Sequence, residues 1–177
     1  MKSIKYIFPL IMLITACKSN YIITKNIELD SKNDLYVSQK ILSDGAENYE
    51  IFATIKFNES YRKNKKSWAG FLLKTNVNNG LHGKDSGYMF YIRENGEIGV
   101  HSSPQSNNEI ELTKYLRSLE YGEKINVKIL STDNQLKIYV NGKEQFAIND
   151  MKLKGKYISA NAGGADVSIK INSFKKM

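Results

Sequence analysis

In the segment GYMFYIR, residues 87–93, side chains alternate so that Tyr88, Phe90 and Ile92 share one face of an extended chain and Met89, Tyr91 and Arg93 share the other. With the first set in a core, the second becomes an outward row of aromatic and guanidinium groups. An aromatic face covers the apolar C–H side of a sugar ring, and a planar guanidinium hydrogen-bonds its hydroxyls. Trp68 closes the lysine-rich segment YRKNKKSW, and His101 lies beyond an Asn-Gly turn; both extend the row. Asn79 and Asp85, in the polar glycine-rich stretch NVNNGLHGKDSG, add an amide and a carboxylate. Trp68, Tyr91, Arg93, His101, Asn79 and Asp85 form the candidate ligand-binding set, and the chemistry they share is that of glycan recognition.

Covalent chemistry finds less material. Glycoside hydrolysis needs two carboxyl groups about 5 to 9.5 Å apart across the scissile bond. The acidic pairs Glu47 and Glu50, Glu94 and Glu97, and Glu109 and Glu111 fall at strand ends or turns, where carboxylates are solvated. His82 and His101 are the two histidines, and neither accompanies a nucleophile elbow or an H-E-x-x-H string. A single cysteine excludes a zinc cluster and an internal disulfide. DSKND, Asp30 to Asp34, lacks the glycine and glutamate of a calcium loop and reads as a polar turn. No catalytic residue, metal or cofactor is expected, which leaves a binding role, with a glycan-processing enzyme and a structural or protein-interaction role as alternatives.

That one cysteine, Cys17, ends the stretch MKSIKYIFPLIMLITAC. Lys2 and Lys5 form a basic start, Tyr6 to Ile14 an apolar run, and Thr15 and Ala16 a small-residue exit, which is the layout of a secretory signal. The apolar run is shorter than the roughly 20 residues of a membrane span, and Pro9 interrupts it. The tetrad ITAC, Ile14 to Cys17, resembles the lipobox of bacterial lipoproteins. That resemblance implies cleavage after residue 16, acylation of Cys17 and a lipid-anchored place in the cell envelope. Lys18, where an aspartate would retain such a protein at the inner membrane, points to the outer membrane of a Gram-negative cell. The expected organisation is a signal peptide over residues 1–16, a lipidated tether over 17–25 and one domain over 26–177.

The elements that must carry the candidate row are strands. YEIFATIKF sets Ile51, Ala53, Ile55 and Phe57 on one face; NVKILS and QLKIYV repeat the two-residue period with Val127 and Ile129, then Leu136, Ile138 and Val140. DVSIKINSF closes the chain with Val167, Ile169 and Ile171 alternating with polar residues. Asn95-Gly96 and Asn141-Gly142 predict hairpins with two-residue type I′ turns. NEIELTKYLRSLEYGEK mixes both periods and is expected to give a strand edge and a helical turn. With 177 residues, 41% of them hydrophobic, the chain can build one core. The formal charge of +8 is dispersed along alternating segments rather than gathered as a nucleic-acid footprint, and the basic run at Tyr61 to Trp68 reads as a solvated loop. Many short strands without a βα repeat predict an all-β fold, a two-sheet antiparallel β-sandwich of the jelly-roll kind.

The order of segments carries a further resemblance. WAGFLLKT, then SGYMFYIRENGEIGVHS, then LEYGEKINVKILSTDNQLKIYVNGKEQF, then INDMKLKGKYISANAGGADVSIKINSFK is similar to the concanavalin A-like lectin/glucanase superfamily, in particular to levan-binding carbohydrate-binding modules and 3-keto-disaccharide hydrolase domains. The resemblance spans Tyr49 to Phe174 and implies a concanavalin A-like jelly roll that binds carbohydrate. It departs at Lys74, where many such relatives carry an arginine, and the E-x-D-x-x-E string of laminarinase-type members is missing.

Overall fold

The computed structural model describes residues 24–32, 36–42, 44–62, 66–103, 110–149 and 151–177. Cys17 and the leader lie outside them, as do Asn33 and Asp34 of the DSKND stretch and Glu109. The described residues form twelve strands: β1 (Lys25–Asp30), β2 (Val37–Lys40), β3 (Tyr49–Ser60), β4 (Trp68–Thr75), β5 (Gly87–Arg93), β6 (Glu97–Ser103), β7 (Glu111–Tyr115), β8 (Lys124–Ser131), β9 (Gln135–Val140), β10 (Lys143–Asn149), β11 (Tyr157–Gly163) and β12 (Ala165–Lys176). They build two six-stranded antiparallel sheets. The back sheet has the order β1-β12-β3-β8-β9-β10, and the front sheet β2-β11-β4-β5-β6-β7. β1 starts one residue before the expected domain boundary.

Alternation explains which faces meet. On β3, Ile51, Ala53, Ile55 and Phe57 are at most 2% exposed, while Phe52 on the opposite face is 40% exposed. Val127 and Ile129 on β8, Leu136, Ile138 and Val140 on β9, and Val167, Ile169 and Ile171 on β12 point the same way, against Phe71, Leu73, Tyr88, Phe90, Ile92, Ile98 and Val100 of the front sheet. β4 differs, being buried along its whole length. Ala69, Phe71 and Leu73 enter the main core, and the outward Trp68 and Leu72 join Met89 and Tyr91 in a second cluster on the far side of the front sheet. A strand apolar on both faces requires cover on both, and that second cover defines the site below.

The two hairpins differ from each other. Asn141 and Gly142 both have positive φ, 49° and 81°, which is the expected type I′ turn between β9 and β10. Placing a Cβ at Gly142 forces an L side chain into that region, so Gly142→Ala is expected to cost about 1 kcal/mol, read from thermal unfolding. Between β5 and β6 the expected two-residue turn is corrected. Tyr91 pairs with Gly99 and Ile92 with Ile98, so Glu94, Asn95 and Gly96 form a three-residue loop. Gly96 N–H donates to Arg93 O at 3.0 Å, and Gly96 alone carries positive φ, 88°. A type I turn closed by a left-handed glycine fits a three-residue connection. The expected helical turn after Tyr115 is also corrected: residues 116–120 run irregularly along the sandwich edge, with Leu116 N–H bonded to Gly96 O and Leu119 N–H to Glu94 O.

Candidate functional site

The outer face of the front sheet is a lattice set by strand register. Trp68 pairs with Arg93, Gly70 with Tyr91 and Leu72 with Met89 across β4 and β5. Tyr91 pairs with Gly99 and Met89 with His101 across β5 and β6. Glu97 pairs with Tyr115, Gly99 with Thr113 and His101 with Glu111 across β6 and β7. Cross-strand partners share a face, so Trp68, Arg93, Glu97 and Tyr115 make one row, and Met89, His101 and Glu111 another. Glycines leave room for the large rings. A Cβ at Gly99 would lie 2.6 Å from the Tyr91 ring, and one at Gly163 would lie 2.4 Å from Trp68 Nε1.

Residues 76–86 cross half of this face. Ser159 Oγ and Asn161 Nδ2 donate to Gly80 O, His82 N–H donates to Asn161 Oδ1 at 3.0 Å, and Gly83 N–H donates to Ser103 Oγ at 3.0 Å. Asn161, fully buried on an outward position of β11, therefore serves this loop as both donor and acceptor. The loop packs over Leu72, 3.0 Å from a Cβ placed at Gly80, and sets His82 among aromatics, its ring centroid 5.2 Å from Trp68, 5.0 Å from His101 and 5.6 Å from Tyr36. Burial first, and then the neighbouring His101, pulls the His82 imidazole from 6.5 down to about 4.

The uncovered half is a cleft of ≈ 360 Å³. Its organiser is Glu97, which is 9% exposed. Tyr91 Oη donates to Glu97 Oε1 at 2.8 Å, Arg93 Nη1 to Oε2 at 3.1 Å, and Tyr115 Oη to Oε2 at 3.4 Å. Burial, then the bond to Glu97, raises the Tyr91 hydroxyl above its ordinary pKa, so it stays a donor. The Arg93 side chain keeps 35% of its surface exposed. The Tyr115 ring, 71% exposed, stands over the cleft, with Glu111 and Thr113 completing the wall on β7. The arrangement offers a planar acceptor, a planar donor, tyrosine hydroxyls and an open aromatic surface, which suit the hydroxyls and C–H face of a sugar ring.

Of the six candidates, the fold brings Trp68, Tyr91, Arg93 and His101 to this cleft. Trp68 is 5% exposed and forms a wall rather than a displayed ring. Asn79 and Asp85 do not line it. Asn79 is an exposed loop residue at φ 78°, and the Asp85 carboxylate accepts Leu81 N–H at 2.7 Å, holding the loop's own turn. Lys74 is directed elsewhere too, its ammonium bonded to Glu47 O and lying 5.7 Å from the Tyr49 ring centre. Glu97, Tyr115, Glu111, Thr113 and His82 were not among the candidates. Among the described residues no group of three or more His, Cys, Asp or Glu is placed to hold a metal ion.

No protein-family profile matches the sequence, and no curated protein matches it. Solved structures do match in shape. The carbohydrate-binding module CBM66 from Bacillus subtilis superposes with a TM-score of 0.59 at 13% identity, over 88% of this chain and 95% of that one. Sheep galectin-11, solved in complex with glycerol, gives 0.50 at 12% identity over 75% and 95%. A fructosyltransferase from A. japonicus gives 0.64 at 14% identity over 90% of this chain and 26% of that enzyme, so the likeness covers about a quarter of its length. At such identities the likeness is one of fold: this chain is a two-sheet antiparallel jelly-roll sandwich of the architecture that these proteins share.

Proposed function

We propose that this chain is a non-catalytic glycan-binding module held in a bacterial cell envelope by a lipid on Cys17. The observation that carries the binding reading is the Glu97 cleft: one buried carboxylate fixes Tyr91, Arg93 and Tyr115 around an opening walled by aromatic rings. Its charges favour neutral sugars. The lining holds one guanidinium against two carboxylates, so an acidic sugar meets repulsion there although the whole chain is basic. The state of the first carboxylate supports binding over cleavage: Glu97 is already the shared acceptor of Tyr91, Arg93 and Tyr115, and Glu111 stands four residues along β7 from the tyrosine that faces Glu97.

A glycan array of neutral and acidic oligosaccharides tests this reading. Tyr115→Ala removes the open ring and is expected to weaken the best ligand about fivefold, roughly 1 kcal/mol, with unfolding changed by less than about 0.5 kcal/mol because the ring is solvated. Undiminished binding by that variant would falsify the cleft as the site. Fatty-acid labelling tests the anchor: the wild-type chain takes up label and Cys17→Ala does not, whereas label persisting in the variant removes the anchor. Several acyl chains, at about 0.8 kcal/mol per buried CH₂, hold a soluble domain on a membrane.

A further inference from the structure

The outer face of the back sheet carries lysines that have no ion-pair partner among the described residues. Lys56 and Lys124 sit directly opposite each other across β3 and β8, and Lys170 is paired with Thr54 in the next row. Like charges at facing positions work against sheet pairing. Elsewhere the fold neutralises such groups, with Lys128 on Glu50 at 3.1 Å and Lys176 on Asp44 at 2.7 Å. Among the described residues no carboxylate reaches Lys56, Lys124 or Lys170 within ion-pair distance. The three rim a shallow depression of ≈ 430 Å³ together with Glu28, whose carboxylate already accepts from Ser168 Oγ at 2.6 Å. Asp30 and Asp166 face each other one row beyond, away from Lys170. At the opposite end of the patch Phe52 projects outward, 40% exposed, opposite Lys128.

The chain enters the sandwich at the Phe52 end. Lys25 opens β1 opposite Ile171, and Asn26 lies beside Lys170. Seven residues, 18–24, separate Cys17 from that point, a span of at most about 28 Å. A lipid on Cys17 therefore keeps this edge of the back sheet within about 28 Å of a bilayer. We propose that the outer face of the back sheet is apposed to that membrane, with Lys56, Lys124 and Lys170 against anionic phospholipid headgroups and Phe52 in the interfacial layer. Lysines beside an anionic leaflet and an exposed aromatic ring are the two attractions that hold peripheral surfaces down. The front sheet, and with it the cleft, then faces away from the bilayer. The inference rests on the lipid anchor of the preceding section.

The test uses the full chain, produced in a bacterial host, purified from its membranes and reconstituted into phosphatidylcholine vesicles with or without phosphatidylglycerol. Amine acetylation is read by mass spectrometry at Lys56, Lys124 and Lys170, with Lys84 in the loop on the cleft side as reference. Flotation confirms that the chain is on the vesicles. The expected result is labelling of the three lysines slowed about threefold or more by phosphatidylglycerol, restored by high salt, with Lys84 unchanged. Equal labelling on both vesicles, with the chain floating, overturns the docking face and leaves the anchor standing. Failure to float overturns the anchor and the docking with it. Protection by a soluble acidic polysaccharide without vesicles, and none on the anionic vesicles, overturns the inference in favour of an acidic glycan.

Discussion

Glu97→Ala is expected to reduce glycan binding about a hundredfold. The substitution removes the shared acceptor of Tyr91, Arg93 and Tyr115 in one step. Hydrogen bonds to a charged partner contribute about 1.5 to 3 kcal/mol each, and a loss of roughly 3 kcal/mol from the site corresponds to that factor in affinity. The loss has two parts: a ligand hydroxyl loses its acceptor, and the three side chains lose the geometry in which they meet a ligand. Stability should fall less, by about 1 to 2 kcal/mol, because Arg93 and Tyr115 retain water contact while Tyr91 is left with a half-buried hydroxyl. Isothermal calorimetry and a thermal melt on the same sample separate the two effects. Glu97→Gln keeps the shape and one acceptor oxygen, so it should fall between wild type and alanine; a glutamine variant as weak as alanine would mean that the charge, rather than the scaffold, carries the affinity.

The second expected result is a loss of stability and of binding on mild acidification, carried by His82. Its imidazole stays neutral in the fold down to about pH 4, because burial, and then His101, oppose a charge there. In the unfolded chain the same ring takes up a proton near pH 6.5. Between those values the unfolded state holds more protons, so stability is complete above about pH 6.5 and declines as the pH falls toward 4. The shift sets a ceiling of about 3 kcal/mol, and the ring's remaining solvent contact reduces the expected loss to about 1 to 2 kcal/mol. His82 stands between Trp68 and His101, so its protonation drives residues 76–86 off the sheet face that bounds the cleft. Chemical denaturation of wild type and His82→Phe at pH 7 and pH 5 isolates the contribution. The phenylalanine variant keeps an aromatic in the slot and should lose less stability than wild type between the two pH values, whereas equal losses would assign the acid sensitivity to carboxylates elsewhere.

Much of the sandwich was legible because its inner faces follow a strict two-residue period. Ile51, Ala53, Ile55 and Phe57 on β3, and Val167, Ile169 and Ile171 on β12, announce both the strands and the buried side. The split of GYMFYIR into an inner and an outer row was visible for the same reason. Glu97 escaped because a two-residue turn at Asn95-Gly96 would pair Arg93 with Ile98 and turn Glu97 away from it. The three-residue loop shifts the register by one, bringing Glu97, Gly99 and His101 onto the face of Tyr91 and Arg93. The pattern held the clue, since a two-residue turn would also set Val100 beside the outward Tyr91. Tyr115 escaped for another reason. β7 is an edge strand exposed along its length, so no burial pattern marks its faces, and Leu116 and Leu119 beyond it pack against the sandwich edge from irregular backbone. Trp68 was legible as an aromatic near the row, but its cover comes from Gly163, Tyr36 and His82, positions far apart in the chain that only the folded topology joins.

The central claim of the proposed function is that the outer face of the front sheet holds a neutral glycan through the Glu97 cleft. The most direct measurement is affinity electrophoresis of wild type, Tyr115→Ala and Glu97→Ala through gels containing neutral polysaccharides, each beside an anionic polysaccharide of matched linkage. The account predicts that at least one neutral polymer retards the wild type, that its anionic counterpart retards it less, and that both variants migrate faster than wild type in the neutral gel. Retardation of all three proteins to the same extent, or stronger retardation by the anionic polymer, would contradict it.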